Sequence, residues 1–218
     1  SAAFKAMLDR LSRLFSARQR LVADVSHEMR TPLTVIRGNV DLLNAMGCAD
    51  PESLDALRRE SDRMTRMVGD LLLLSQADAG QLSMQMSPTL LAPVVSDVER
   101  SGRVLAADRV RVTATVDQDI CVMADADRLK QVLLNLTDNA IKHTPTGGSV
   151  ALEATGIFNG FARISVSDPG VGIPEADLAH VFERFYRVDK SRSRERGGSG
   201  LGLSIAQKIV EAHKGRIA

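Results

Sequence analysis

The chain has 218 residues, 44% of them apolar, 25% charged and only 3% aromatic, proportions of foldable globular sequence rather than of a disordered or membrane-embedded one. Lys and Arg number 28 against 27 Asp and Glu, so no bulk positive field favours nucleic acid, and any attraction for anions must come from a local cluster. Cys48 and Cys121 have no CxxC spacing, which argues against a zinc ribbon or disulfide framework and fits a reducing compartment, with the cytoplasm as default; no apolar run approaches the roughly 20 residues of a membrane helix.

From Phe4, apolar residues fall at Leu8, Leu11, Phe15, Val22, Val25 and Met29, the three-four spacing of a coiled-coil seam. The spacing continues through Leu33, Ile36, Val40 and Leu43 to Gly47, where one helix can end; Asp50 and Pro51 can cap and begin the next. A short loop implies an antiparallel hairpin, and the second helix carries Leu54, Leu57, Met64, Val68, Leu71 and Leu74 before ending near Gly80. Two helices bury too little apolar surface by themselves. Two hairpins pairing as a dimeric four-helix bundle answer this, and a hairpin packed on its own second half is the alternative. Beyond Gly80, Ser87-Pro88 and Ala92-Pro93 interrupt the pattern. Strand-like runs follow at 110–116, 120–123, 149–154 and 162–167, with helices from Asp125 to about His143 and from Gly202 to His213, so this half reads as α/β, a sheet covered by helices on at least one face.

Within the first helix stands Ser26-His27-Glu28-Met29-Arg30-Thr31-Pro32-Leu33. With Val22 and Met29 at a and Val25 at d, His27 takes f and faces water. A lone exposed histidine is usually only solvated. Pro32 changes the weighing, because it clashes with the carbonyl four residues back and should bend the helix just after the histidine. Position 31 is Thr, so the zinc-protease pattern HExxH fails. A carboxylate at Glu28 can orient the imidazole and keep a ring nitrogen nucleophilic; Glu28 and Thr31, three apart, could together hold a water.

The second half carries an anion site in three pieces. Asn135, Asn139 and Lys142 share a face of one helix, two neutral oxygen donors and a cation that suit Mg²⁺ held largely through water and phosphate; a plain polar face is the alternative. Asp168-Pro-Gly170-Val-Gly172 ends a strand run, where a carboxylate can accept from an exocyclic amine, although the segment could equally be a tight turn. Gly197-Gly-Ser-Gly200-Leu-Gly202 enters the last helix as a phosphate cradle, without the Lys-Ser/Thr of a Walker A loop. Between Arg187 and Arg196, five cations face Asp189 and Glu195, a local +3 in a chain of net +1, read as a mobile lid over phosphates or as a disordered basic loop.

These segments resemble sensor histidine kinases of two-component systems. Ser26–Leu33 is similar to their H box, Asn135–Thr144 to the N box, Asp168–Gly172 to the G1 box, Phe182–Arg187 to the F box and Gly198–Leu203 to the G2 box, in the family's order. The resemblance implies a GHKL-type ATP-binding domain behind a dimerisation and phosphotransfer hairpin, with residues 1–15 as the end of a HAMP-like helix, 16–80 as the hairpin, 81–87 as linker and 88–218 as the catalytic domain. It implies ATP and Mg²⁺ as cofactors, a homodimer, a response regulator as partner, no nucleic acid, and a membrane reached only through upstream segments of a larger sensor.

By the same resemblance, His27 is the phosphorylated residue, Glu28 the assisting base, and Thr31 the residue that positions water for dephosphorylating the partner. Asn139 ligates Mg²⁺ with support from Asn135. Lys142 touches phosphate, and His143 lies against the nucleotide where many relatives carry an aromatic. Asp168 reads the adenine amine in a pocket shaped by Gly170 and Gly172; Arg192 lies in the lid, and Gly198, Gly200, Leu201 and Gly202 line the phosphates. Proline after Asp168 is a departure that stiffens the turn. The ending at Gly215-Arg-Ile-Ala218, where relatives continue into another strand, leads us to expect an unpaired sheet edge. Two other readings accompany this one: a module acting mainly as regulator phosphatase or docking platform, and a GHKL ATPase without phosphotransfer. Phe182, Phe185 and Tyr186 are expected to anchor the lid.

Overall fold

The computed structural model describes residues 2–48, 50–117, 120–156, 160–188 and 199–218. It divides into two compact units, Ser1–Gly69 and Asp70–Ala218.

The first unit holds helix α1 (Ala2–Met46) and most of α2 (Pro51–Asp78). α1 runs on through Pro32 as one helix. It ends at Gly47, whose φ of 64° is the left-handed conformation that glycine adopts without a Cβ penalty and whose N–H donates to the Leu43 carbonyl at 3.1 Å. α2 starts as its sequence asks: the Asp50 carboxylate accepts from the Ser53 N–H at 2.8 Å, Pro51 needs no donor, and Glu52 faces the positive end of the helix dipole. Much of the apolar seam stays uncovered within the chain. Val22, Leu33, Val40, Leu54 and Val68 are all exposed, Val22 by 61%.

The second unit is built from β1 (Ser87–Leu90), α3 (Leu91–Ala106), β2 (Arg111–Val116), β3 (Cys121–Ala124), α4 (Ala126–His143), β4 (Ser149–Gly156), β5 (Ala162–Ser167), the single turn α5 (Glu175–Leu178) and α6 (Gly202–Ala212). β1 and β3 form an antiparallel ribbon, while β2, β4 and β5 form a mixed sheet in the order β2-β4-β5, with β2 parallel and β5 antiparallel to β4. Alternation along β4 sends Val150, Leu152 and Ala154 to one face, where they meet Val95 and Val98 of α3 and Leu133, Ala140 and Ile141 of α4. The patterning leads one to expect helices covering at least one face of the sheet, and the resemblance implies a mixed one; both are seen here.

Two elements differ from that reading. Ser87-Pro88 begins a strand where the sequence showed only an interruption of the pattern: Pro88 sits opposite Met123, and β1 has no second neighbour among the described residues, the place where a missing donor costs no ladder bond. Pro93 lies in the first turn of α3, whose N–H groups have no intrahelical partner in any case. α3 also lacks ordinary punctuation. No side chain caps it at Leu90, and it ends on Ala107 and Asp108, both at positive φ, with no glycine.

α3 and α4 approach closely through Gly102, where a Cβ would lie 3.1 Å from both Thr137 Cγ2 and Val112 Cγ1. Thr137 beside it is fully buried and its hydroxyl has no hydrogen-bond partner among the described residues. Thr137→Val keeps the branched shape and removes a stranded polar atom, so it is expected to stabilise the fold by about 1 kcal/mol, read as a higher urea midpoint.

Asp125 caps α4, accepting from the Arg128 N–H at 3.1 Å and from the Gln85 N–H at 2.8 Å. Burial pushes its carboxyl up, but the Gln85 and Arg128 donors outweigh this and hold it below the ordinary 3.8. A depressed folded value means that the cap stabilises fully above the unfolded carboxylate range and that this is lost as pH falls through the folded value. Asp125→Ala is therefore expected to cost about 1 kcal/mol near neutrality, with the gap to the parent chain narrowing in unfolding curves taken at progressively lower pH below 4.

Candidate active site

α1 presents His27 to solvent, as its f position requires. The Ser26 hydroxyl donates to the Val22 carbonyl at 2.7 Å and the Thr34 hydroxyl to the Arg30 carbonyl at 2.9 Å, so both are turned back on their own helix. Thr31 is exposed and Pro32 buried. Glu28 is half-buried: one of its carboxylate oxygens lies 4.0 Å from Arg63 Nη2 on α2, and Arg63 Nη1 lies 3.7 Å from Glu60 Oε2. The carboxylate beside the candidate nucleophile is therefore held from the second helix, while Thr31 stays in water. His27, Glu28 and Thr31 belong to the first unit, and the nucleotide-type residues to the second.

In the second unit, α4 and α6 bring two of the sequence segments together. The Asn135 amide donates from Nδ2 to the Gly202 carbonyl at 3.2 Å, and a Cβ on Gly202 would lie 3.7 Å from the same side chain. The Asn135 segment is thus joined to the first residue of the glycine-led helix. That helix starts with no side-chain cap and no acidic residue in its first turn, which leaves its N–H groups and positive dipole end for an anion. Leu201 is fully buried, and its N–H donates to Ser199 Oγ at 3.3 Å. Asn139 is half-buried one turn along α4, and Lys142 Nζ donates to Asp138 at 2.5 Å.

The end of α4 abuts the turn after β5. A Cβ on Gly170 would come within 3.0 Å of the His143 carbonyl, so only glycine lets that backbone approach; the His143 side chain is exposed. Asp168 Oδ1 accepts from the Gly170 N–H at 2.8 Å, an Asx turn that fixes the carboxylate against its own loop. Gly172, at φ 71°, completes the turn.

The aromatic segment reaches the glycine loop through its backbone. The Phe185 N–H donates to the Gly200 carbonyl at 2.9 Å, and both residues have positive φ, 59° and 70°. A Cβ on Gly200 would stand 2.8 Å from the Phe185 Cα. Tyr186 donates its hydroxyl to Asp177 and packs its ring 5.6 Å from that of His180, and Arg184 pairs with Asp78 at the end of α2. Phe182, Phe185 and Tyr186 are each half-buried. Arg192 and Gly198, with the rest of the basic segment from 189 to 198, lie outside the described residues.

Three contacts had escaped the sequence reading. Glu60 and Arg63 look like an ordinary surface pair at i, i+3, and only the packing of α1 brings Arg63 to Glu28. His213, a solvent-type residue by pattern, donates from Nδ1 to the Ile209 carbonyl at 2.8 Å and accepts the Asp125 N–H on Nε2 at 3.0 Å. Arg184 and Asp78 are 106 positions apart, beyond any local signal.

Comparison with known proteins places these features. Residues 17–80 match the His Kinase A (phospho-acceptor) domain, and residues 124–218 match the histidine kinase-, DNA gyrase B- and HSP90-like ATPase family. The signal transduction histidine-protein kinase BaeS of Escherichia coli (strain K12) is 37% identical over 216 residues, an alignment covering 98% of this chain and 46% of BaeS, so the chain spans less than half of that relative. Among solved structures, the mycobacterial sensor histidine kinase MprB aligns at 32% identity and TM-score 0.52 over 59% of this chain and 80% of MprB. Histidine kinase ThkA in complex with the response regulator protein TrrA aligns at 25% identity and TM-score 0.67 over 90% of this chain and 55% of that one. With a His Kinase A match in its first half and an ATPase-family match in its second, the chain belongs to the sensor histidine kinases of two-component systems.

Proposed function

We propose that the chain is the catalytic portion of an ATP-dependent sensor kinase that phosphorylates its own His27 and passes the phosphoryl group to an aspartate of a response regulator. The observation that carries this reading is an exposed histidine in the phospho-acceptor match of a chain whose other unit ties Asn135 to an uncapped glycine-led helix start. A ring nitrogen of His27 forms the bond to the γ-phosphorus of ATP as the bond to the β,γ-bridging oxygen breaks, and ADP leaves with that electron pair. Glu28 takes the proton from the other ring nitrogen, which keeps the imidazole nucleophilic.

In the second unit, the N–H groups at Gly200 and Gly202 and the start of α6 receive phosphate oxygens, Leu201 gives up Ser199 to do the same, Gly198 lines the same phosphates and Arg192 is a lid residue. Asp168 accepts from the adenine amine beside Gly170, Gly172 and His143, and Lys142 exchanges Asp138 for phosphate. The Asn135 nitrogen is engaged by Gly202, which leaves its oxygen, with that of Asn139, as a cation donor. No cluster of three or more His, Cys, Asp or Glu suited to a metal occurs among the described residues, so neutral amide oxygens together with substrate phosphates fit Mg²⁺, which would neutralise phosphate charge there.

The uncovered apolar seam supports a homodimer through a four-helix bundle. We assign residues 16–80 to that hairpin after a HAMP-like end at 1–15, and 88–218 to the catalytic domain after a linker at 81–87. An exposed Thr31 suits a water-positioning role in dephosphorylating the regulator. The chain is read as the cytoplasmic portion of a membrane sensor protein.

With γ-labelled ATP and Mg²⁺, the chain should acquire acid-labile, base-stable phosphate that is absent in His27→Gln and after chelation of the divalent cation. Label persisting in His27→Gln would overturn the kinase reading, and strong dephosphorylation of a regulator with no self-labelling would favour a phosphatase. Gly200→Ala combines left-handed strain of about 1–2 kcal/mol with a collision at Phe185 and is expected to weaken binding of a non-hydrolysable ATP analogue about tenfold or more. Gly202→Ala has 3.7 Å of clearance and should weaken it less; equal losses in calorimetric titration would count against this geometry.

A further inference from the structure

The three charged side chains behind His27 have one cation for two anions. Arg63 stands between Glu28 of α1 and Glu60 of α2, at 4.0 and 3.7 Å, and all three are largely shielded, with side-chain exposures of 17%, 23% and 21% for Arg63, Glu28 and Glu60. Neither distance is that of a charge-assisted hydrogen bond, roughly 2.7–2.9 Å. Arg63 Nε and Glu60 Oε2 are buried with no hydrogen-bond partner among the described residues. A guanidinium half-committed to two carboxylates in a sheltered place is not the arrangement that stability alone selects, because burying charge with unsatisfied donors is costly. It is an arrangement in which a small movement of α1 against α2 reassigns the cation.

We propose that Arg63 is a positioning residue for phosphorylation of His27. It acts through Glu28 by holding that carboxylate beside the histidine, and Glu60 is the rival acceptor that keeps the hold from becoming permanent. The proposal rests on reading Glu28 as the base that takes the ring proton of His27. Residues 27 and 28 are neighbours on a helix, and neighbouring side chains do not face each other, so a carboxylate at 28 needs an external hold to serve the ring at 27. Arg63 is the cation that the second helix supplies for that purpose. It touches neither the nucleotide nor the reacting nitrogen, so its loss should move the rate of phosphoryl transfer and leave ATP binding alone.

The test is a cycle of variants in the 218-residue chain, each followed by single-turnover labelling with γ-labelled ATP across a range of ATP concentrations. Arg63→Gln is expected to lower the maximal labelling rate on the order of 10- to 100-fold with the half-saturating ATP concentration unchanged, the scale of a misplaced catalytic group. Arg63→Lys keeps the charge without the fork and should recover part of the rate, which also guards against Arg63→Gln failing to fold. The deciding comparison is the background Glu28→Gln, in which Arg63→Gln should have no further effect, since its target is gone. An Arg63→Gln rate equal to that of the parent chain, or losses that multiply in the double variant, would overturn the proposal. Failure of the underlying reading looks different: the parent chain would not label at His27, or Glu28→Gln would label as fast as the parent.

Discussion

The second unit depends on how α4 is tied to α6. Two hydrogen bonds do this at opposite ends of α6: Asn135 Nδ2 to the Gly202 carbonyl at its start, and the Asp125 N–H to His213 Nε2 just past its end. The Nδ1 donation from His213 to the Ile209 carbonyl leaves Nε2 to accept, which is the neutral tautomer. Asp125 meanwhile caps α4 and takes the Gln85 N–H, so one residue joins the segment before β1, the start of α4 and the end of α6. With both helices pinned, the amide face of α4 and the open N-terminus of α6 become neighbours. The helix layer on β2-β4-β5 supplies the rigid backing through Leu133 and Ala140 of α4, while Ile205 and Ile209 of α6 are themselves buried.

Two glycines of the second unit stand where backbone meets backbone. Gly170 lets the turn after β5 reach the His143 carbonyl, and Gly200 lets the loop before α6 reach Phe185. Both contacts link segments far apart in the chain, and both would be blocked by a single methyl group. The aromatic residues serve the same end. Phe185 meets the loop through its N–H, while Tyr186 is fastened to Asp177, whose carboxylate raises the phenol pKa by accepting its proton in a hydrogen bond.

The first unit follows a different economy. Its two helices start and stop cleanly at Gly47, Asp50 and Pro51, yet leave Val22, Leu33, Val40, Leu54 and Val68 in water. An apolar stripe of that length on a solvent-facing helix pair is a surface made to be covered. His27 takes the f position, apart from the a and d positions that make the stripe, and is itself exposed.

Local chemistry determined a good part of this protein. The heptad spacing, the Gly47 and Asp50-Pro51 punctuation, the Asp125 cap and the alternation of β4 each act through neighbours within a few residues, so the two hairpin helices, α4, α6 and four of the strands were legible in order. The five motifs identified the family for the same reason, since each is a short run whose chemistry is carried by its own residues. Where local signals were absent or contradictory, legibility failed: α3 has neither a side-chain cap nor a terminal glycine, and β1 begins on Ser-Pro. Tertiary structure alone decided that Arg63 stands between Glu28 and Glu60, that His213 receives the Asp125 N–H, that Thr137 buries an unpartnered hydroxyl and that Phe185 touches Gly200. Each of these depends on which faces of distant elements meet, and that is set by the packing of the whole core rather than by any window of the sequence.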